Sequence, residues 1–68
     1  MPKLFSSDFL IKVLVKNGFS LVSQRGSHVK LEKQGQVVIV PSSRKEIPIG
    51  TYRSIVRQSG LSRDAFEG

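Results

Sequence analysis

The sequence predicts an α+β fold of order αβββα: a three-stranded antiparallel sheet with two helices on one face. Three observations lead there. An amphipathic segment opens at Ser6-Ser7-Asp8 and stops at Asn17-Gly18. Residues 19–40 then read as three β-type runs separated by short glycine-containing breaks. A second amphipathic segment runs from Pro48 to Gly60. Successive hairpins make the sheet antiparallel, and a single sheet needs one face covered, so both helices belong on that face.

Each element follows from local chemistry. Ser6 or Ser7 is suited to cap the first helix, and Asp8 sits where the helix dipole favours an anion. Leu10, Val13 and Leu14 share the apolar side at i, i+3, i+4, with Lys12 and Lys16 on a more polar side. Gly18 is free to take the left-handed conformation just past the helix, which lets Phe19 pack back on Leu14. The first strand is expected over residues 19–24, broken by Arg25-Gly26-Ser27. In residues 28–33, Val29 and Leu31 alternate with His28, Lys30 and Glu32. Gln34-Gly35 is a turn, and residues 36–40 form a β-branched third strand ended by Pro41. A polar, basic loop, residues 41–46, leads to the second helix at Pro48. There Tyr52, Ile55, Val56 and Ser59 share a face, and Arg53 and Arg57 share another. Gly60 stops this helix as Gly18 stops the first, and Ser62 caps a last turn that returns Phe66 to the core. Phe9, Phe19, Tyr52 and Phe66 fall at apolar or helix-stop positions and are expected in the core.

Composition bounds what such a domain does. Sixty-eight residues fit one domain, assigned to residues 1–68. There is no cysteine and one histidine, so no disulfide framework, metal site or cofactor is expected. No apolar run approaches the roughly 20 residues of a membrane-spanning helix. Residues 1–15 lack the basic-then-apolar layout of a signal peptide, so the expected location is the cytoplasm. An enzyme with an enclosed cavity, a secreted disulfide scaffold and a membrane protein are thereby excluded. Eleven Lys and Arg against five Asp and Glu give a net charge of +6 and a pI near 10.4. A polyanion, above all nucleic acid, is the first partner to consider. An acidic protein would use the same surface.

If Val29 and Leu31 face the helices, His28 and Lys30 face away, on the open side of the sheet. An imidazole, with an intrinsic pKa of about 6.5, suits proton transfer at neutral pH. From spacing alone, an exposed strand histidine without a role is the plainer reading. Gly26 just upstream, which permits a tight bend and close approach of a ligand, and the bracketing Arg25 and Lys30 weigh the other way. Ser27 adjoins His28, but neighbours along a strand point to opposite faces, which is poor geometry for a Ser–His pair. No aromatic interleaves with the basic strand residues, so a base-stacking platform of the single-strand type is not supported.

Taken together, residues 18–61 resemble the HicA family of bacterial and archaeal toxins. The residues that carry the resemblance are Asn17-Gly18-Phe19, Gly26-Ser27-His28, Val38-Ile39-Val40-Pro41 and the run EIPIGTYRSIVRQSGLS. The resemblance implies a fold similar to a double-stranded RNA-binding domain. It also implies an mRNA-cleaving, metal-independent endoribonuclease checked by a HicB-type antitoxin. The family's catalytic histidine maps onto His28, and the glycine of its turn onto Gly26. On that basis Arg25, Gly26, Ser27, Lys30, Lys33, Arg44 and Lys45 are the candidate RNA contacts. Two other functions fit the same composition: a non-catalytic double-stranded RNA-binding module, and a small basic interaction protein.

Overall fold

A computed structural model describes residues 4–67; the ends of the expected domain, residues 1–3 and 68, lie outside the described residues. The order is α1 (Ser7–Lys16), β1 (Ser20–Arg25), β2 (His28–Lys33), β3 (Gln36–Pro41), α2 (Ile49–Ser59) and a single turn, α3 (Asp64–Glu67). The strands form one antiparallel sheet in the order β1-β2-β3. The αβββα architecture is the predicted one, with α3 as the short last turn.

Helix ends account for the strand boundaries. Ser6 caps α1, its side chain accepting the Phe9 N–H at 3.1 Å. At the other end Gly18, with φ +98°, donates to the Val15 carbonyl, and Phe19 donates to the Leu14 carbonyl at 3.0 Å. These are the paired bonds of a Schellman stop. Because the Phe19 N–H is committed to the helix, β1 starts at Ser20, one residue later than expected. The second stop differs from the first. Gly60 donates to the Arg57 carbonyl at 3.3 Å, but the Leu61 N–H goes to the Ser59 hydroxyl at 3.0 Å, and that hydroxyl donates to the Val56 carbonyl at 2.7 Å. The buried serine is thus inserted into the bond that a Schellman stop would close directly.

The two hairpins turn differently. Gly26 is at φ +55° and Ser27 is not in the left-handed region, the pattern of a type II′ turn. Gln34 and Gly35, at φ +48° and +84°, give a type I′ turn. Both loops have two residues, so strand register is counted outward from them. Arg25 pairs with His28 and Ser23 with Lys30; Lys33 pairs with Gln36, Lys30 with Ile39 and His28 with Pro41. A bulge between Leu21 and Ser23 interrupts β1.

The core lies between the sheet and the helices. Leu10, Leu14, Phe19, Val29, Leu31, Val38, Val40, Ile47, Tyr52, Ile55 and Phe66 are buried. Each fully buried aliphatic or aromatic side chain contributes about 1.5–3 kcal/mol. Phe9, expected in this core, is 38% exposed. It sits one position before Leu10, about 100° around the helix from the buried stripe, and stacks on Phe5 at 4.8 Å between ring centroids. Strand β1 has no buried residue and leaves Leu21 and Val22 exposed. On the other edge of the sheet, the Ile39 N–H is taken up by Gln58 of α2 at 3.2 Å.

Candidate functional site

Register brings the site together. Residues directly opposite on neighbouring strands share a face, so two rows cross the open side of the sheet. One row is Arg25, His28 and Pro41; the next is Ser23, Lys30 and Ile39. Ser23, Arg25, His28, Lys30 and Ile39 line a shallow hollow of about 350 Å³. His28 is exposed, as the alternation with buried Val29 and Leu31 requires. Two cations and an imidazole on one open surface are groups that can attract an anion such as a phosphodiester and exchange a proton with it.

The turn next to His28 is held from two sides. Ser42 donates its N–H to the Ser27 carbonyl at 2.7 Å and its hydroxyl reaches the Gly26 carbonyl at 3.5 Å. The Ser27 hydroxyl lies 3.4 Å from His28 Nδ1. This corrects the expectation that the two side chains point apart. Ser27 is a turn residue rather than a strand residue, so strand alternation does not govern it. An added Cβ at Gly26 would meet nothing within 4 Å; glycine is favoured there by its positive φ, not by crowding.

The other candidates lie elsewhere. Lys33 shares the parity of Val29 and Leu31 and turns toward the helices, where its ammonium donates to the Asn17 carbonyl at 2.8 Å and lies 5.9 Å from the Phe19 ring centroid. Arg44 belongs to the loop before α2, which is anchored to α1. The Ser7 N–H donates to the Arg44 carbonyl at 2.9 Å, the Ser7 hydroxyl accepts the Arg44 N–H at 2.9 Å and donates to the Pro41 carbonyl at 2.5 Å. Lys45 borders Leu4, Phe5, Ser6 and Phe9 instead of the His28 hollow. Sequence reasoning missed Ser23, Ile39 and Ser42. Ile39 was recoverable by counting outward from Gln34-Gly35. Ser23 was not, because the break was expected over Arg25-Gly26-Ser27, whereas Arg25 belongs to β1 and pairs with His28; nor was Ser42, because its bonds to the turn cross between distant segments.

A larger hollow, about 370 Å³, lies among Leu4, Phe5, Ile47, Ile49, Tyr52, Arg63 and Glu67. Its polar groups are already committed to one another: Tyr52 donates to Glu67, and Arg63 Nε meets the same carboxylate at 3.2 Å. The Tyr52 hydroxyl is pushed up to about 12, first by burial and then by that hydrogen bond, while Glu67 is held below the ordinary carboxylate range by Tyr52 and then Arg63. A phenol so shifted is a poor proton donor at neutral pH. The shallower hollow is the one that holds His28 with Arg25 and Lys30. Among the described residues no three His, Cys, Asp or Glu side chains are grouped to hold a metal ion, and no helix is long and apolar enough to cross a membrane.

No curated protein matches the chain. The family model described as the HicA toxin of bacterial toxin-antitoxin systems matches residues 7–61, a span that runs from the first residue of α1, through the whole sheet and its His28 turn, to the stop of α2. The chain belongs to the HicA toxin family of toxin-antitoxin systems.

Proposed function

We propose that this toxin is a metal-independent endoribonuclease that cleaves mRNA, with His28 as its general acid or base, and that a HicB-type antitoxin restrains it. The observation that carries this reading is the grouping of Arg25, His28 and Lys30 in one exposed hollow. In the proposed step a base removes the proton from a ribose 2′-OH. The 2′-oxygen bonds to the adjacent phosphorus, the P–O5′ bond breaks, and the departing 5′-oxygen takes up a proton. The products are a 2′,3′-cyclic phosphate and a 5′-hydroxyl. One imidazole serves one end of this transfer at a time; Lys30 or a water molecule serves the other. Arg25 and Lys30 balance the charge that grows on the phosphoryl oxygens. Gly26 and Ser27 hold the turn against the strand, and Ser27 orients the ring through Nδ1. Lys33 is committed to the end of α1; Arg44 and Lys45 lie outside the hollow and would reach only more distant phosphates. The antitoxin covers the open sheet face and offers acidic groups to Arg25 and Lys30.

The test is cleavage of RNA in EDTA by the wild type and by His28→Ala. The variant should keep its circular dichroism and RNA affinity, since an exposed substitution falls within about ±0.5 kcal/mol. It should lose roughly 10²–10⁴-fold in rate. Full cleavage by the variant would remove His28 from the mechanism, and tight RNA binding without cleavage by the wild type would leave a non-catalytic RNA-binding module.

A further inference from the structure

Four of the five side chains that line the His28 hollow are polar or charged, and Ile39 is the exception. It is 40% exposed, and Val37, two residues earlier on the same face of β3, is 37% exposed. Single exposed aliphatics are ordinary on a protein surface. This one has a fixed address. It is the direct partner of Lys30 across β2 and β3, and its own N–H is held by Gln58. A diagonal neighbour in an antiparallel pair lies about 7–8 Å away, and His28, whose partner is Pro41, stands in that relation to Ile39.

We infer that Ile39, extended by Val37, is a nucleobase subsite for a nucleotide flanking the scissile phosphate. The inference rests on the RNA-cleaving reading and adds where the base goes. A phosphate drawn to Arg25 and Lys30 carries its sugar and base to one side or the other of β2. Within the hollow, the side chain toward the middle of β1 is Ser23, and exposed Val22 of the β1 bulge lies outside its lining; toward β3 it is Ile39, which Val37 extends. The flat face of a base gains by leaving water over Ile39 and Val37. Only an unpaired nucleotide has such a face to offer, because an A-form duplex presents 2′-hydroxyls and base edges. The subsite therefore selects unpaired RNA. An aliphatic floor reads the face of a base and not its hydrogen-bonding edge, so discrimination among bases is weak at this position.

The test uses a short unpaired RNA that the protein cleaves at one position, with two further versions, each carrying an abasic ribose on one side of that position. Wild type and Ile39→Ser are compared on all three, with circular dichroism to verify the fold. One abasic RNA should be cleaved roughly 5–20-fold less efficiently by the wild type. Ile39→Ser should lose a similar factor on the intact RNA and little more on that abasic RNA, as a shared contact requires. Equal cleavage of all three RNAs by the wild type, or losses that simply multiply, would overturn the subsite. Unchanged cleavage by Ile39→Ser with weakened antitoxin binding would also overturn it and assign Ile39 to the protein partner. If the wild type cleaves no RNA, the catalytic reading fails by itself; the subsite is then judged by affinity, where equal binding of intact and abasic RNAs would end it.

Discussion

The Lys33 ammonium donates to the carbonyl of Asn17 at 2.8 Å, so the last residue of β2 caps the C-terminal end of α1. Here a cation meets the negative pole of a helix and an orphan carbonyl at once. Its stem also rests against Gly18, where an added Cβ would come within 3.3 Å of Lys33 Cε. Across the hairpin, its partner Gln36 lies against Gly60. The tip of the β2–β3 hairpin is thereby held between the ends of both long helices.

Lys33 and Lys30 should consequently separate in mutagenesis. Lys33→Met is expected to lower stability by about 1–2 kcal/mol, the range for a hydrogen bond from a charged group that is partly exposed, with little effect on RNA cleavage. Lys30→Met should leave stability nearly unchanged and lower cleavage sharply. Urea denaturation beside a cleavage assay distinguishes the two; matching profiles for both variants would contradict the assignment of Lys33 to the fold.

Ser7→Ala should be among the costlier single substitutions of a polar residue. Ser7 is 1% exposed, and its hydroxyl serves both the Pro41 carbonyl and the Arg44 N–H. Truncation leaves both backbone groups without that partner, at a cost of about 2–3 kcal/mol. A shift in the urea midpoint with an unchanged slope is the expected signature. The loop that carries Arg44 and Lys45 should loosen as well, visible as faster amide exchange at Arg44.

Alkaline pH should destabilise the protein partly through Tyr52. Its folded-state value is raised from 10 to about 12, so the folded protein holds this proton more tightly than the unfolded chain. The resulting stability is complete below pH 10 and is lost as pH rises from about 10 through about 12. The measurement is the difference between wild type and Tyr52→Phe, which isolates this hydroxyl. The variant should start about 1 kcal/mol less stable at neutral pH, having lost the bond to Glu67. The gap should close and then reverse as pH rises from about 10 to about 12, because only the wild type has this proton to lose.

RNA cleavage at low substrate concentration should fall steeply with salt. Each phosphate contact to single-stranded RNA contributes a slope of about −0.7 in log rate against log salt. Arg25→Gln and Lys30→Gln should each make the slope shallower by about that amount. A potassium chloride titration gives the result directly, and an unchanged slope in both variants would place the phosphate elsewhere.

Much of this molecule was legible in one dimension because its determinants are local. The Ser6 cap, the glycines at 18 and 60, and the alternation of His28, Val29, Lys30 and Leu31 each act within a few residues. Together they fixed the element order and put His28 on the open face. The two-residue turn at Gln34-Gly35 even carried the pairing of Lys30 with Ile39, since register is counted from the turn outward; the pairing with Ser23 depended on Arg25 joining β1. Tertiary structure alone decided what depends on contacts between distant segments. It sent Lys33 to Asn17, tied Arg44 to Ser7, and brought Ser42 to the turn beside His28. Residue type and spacing do not encode these outcomes: a lysine is equally suited to a phosphate or to a helix end, and the choice is made by which partner packing brings within hydrogen-bonding distance.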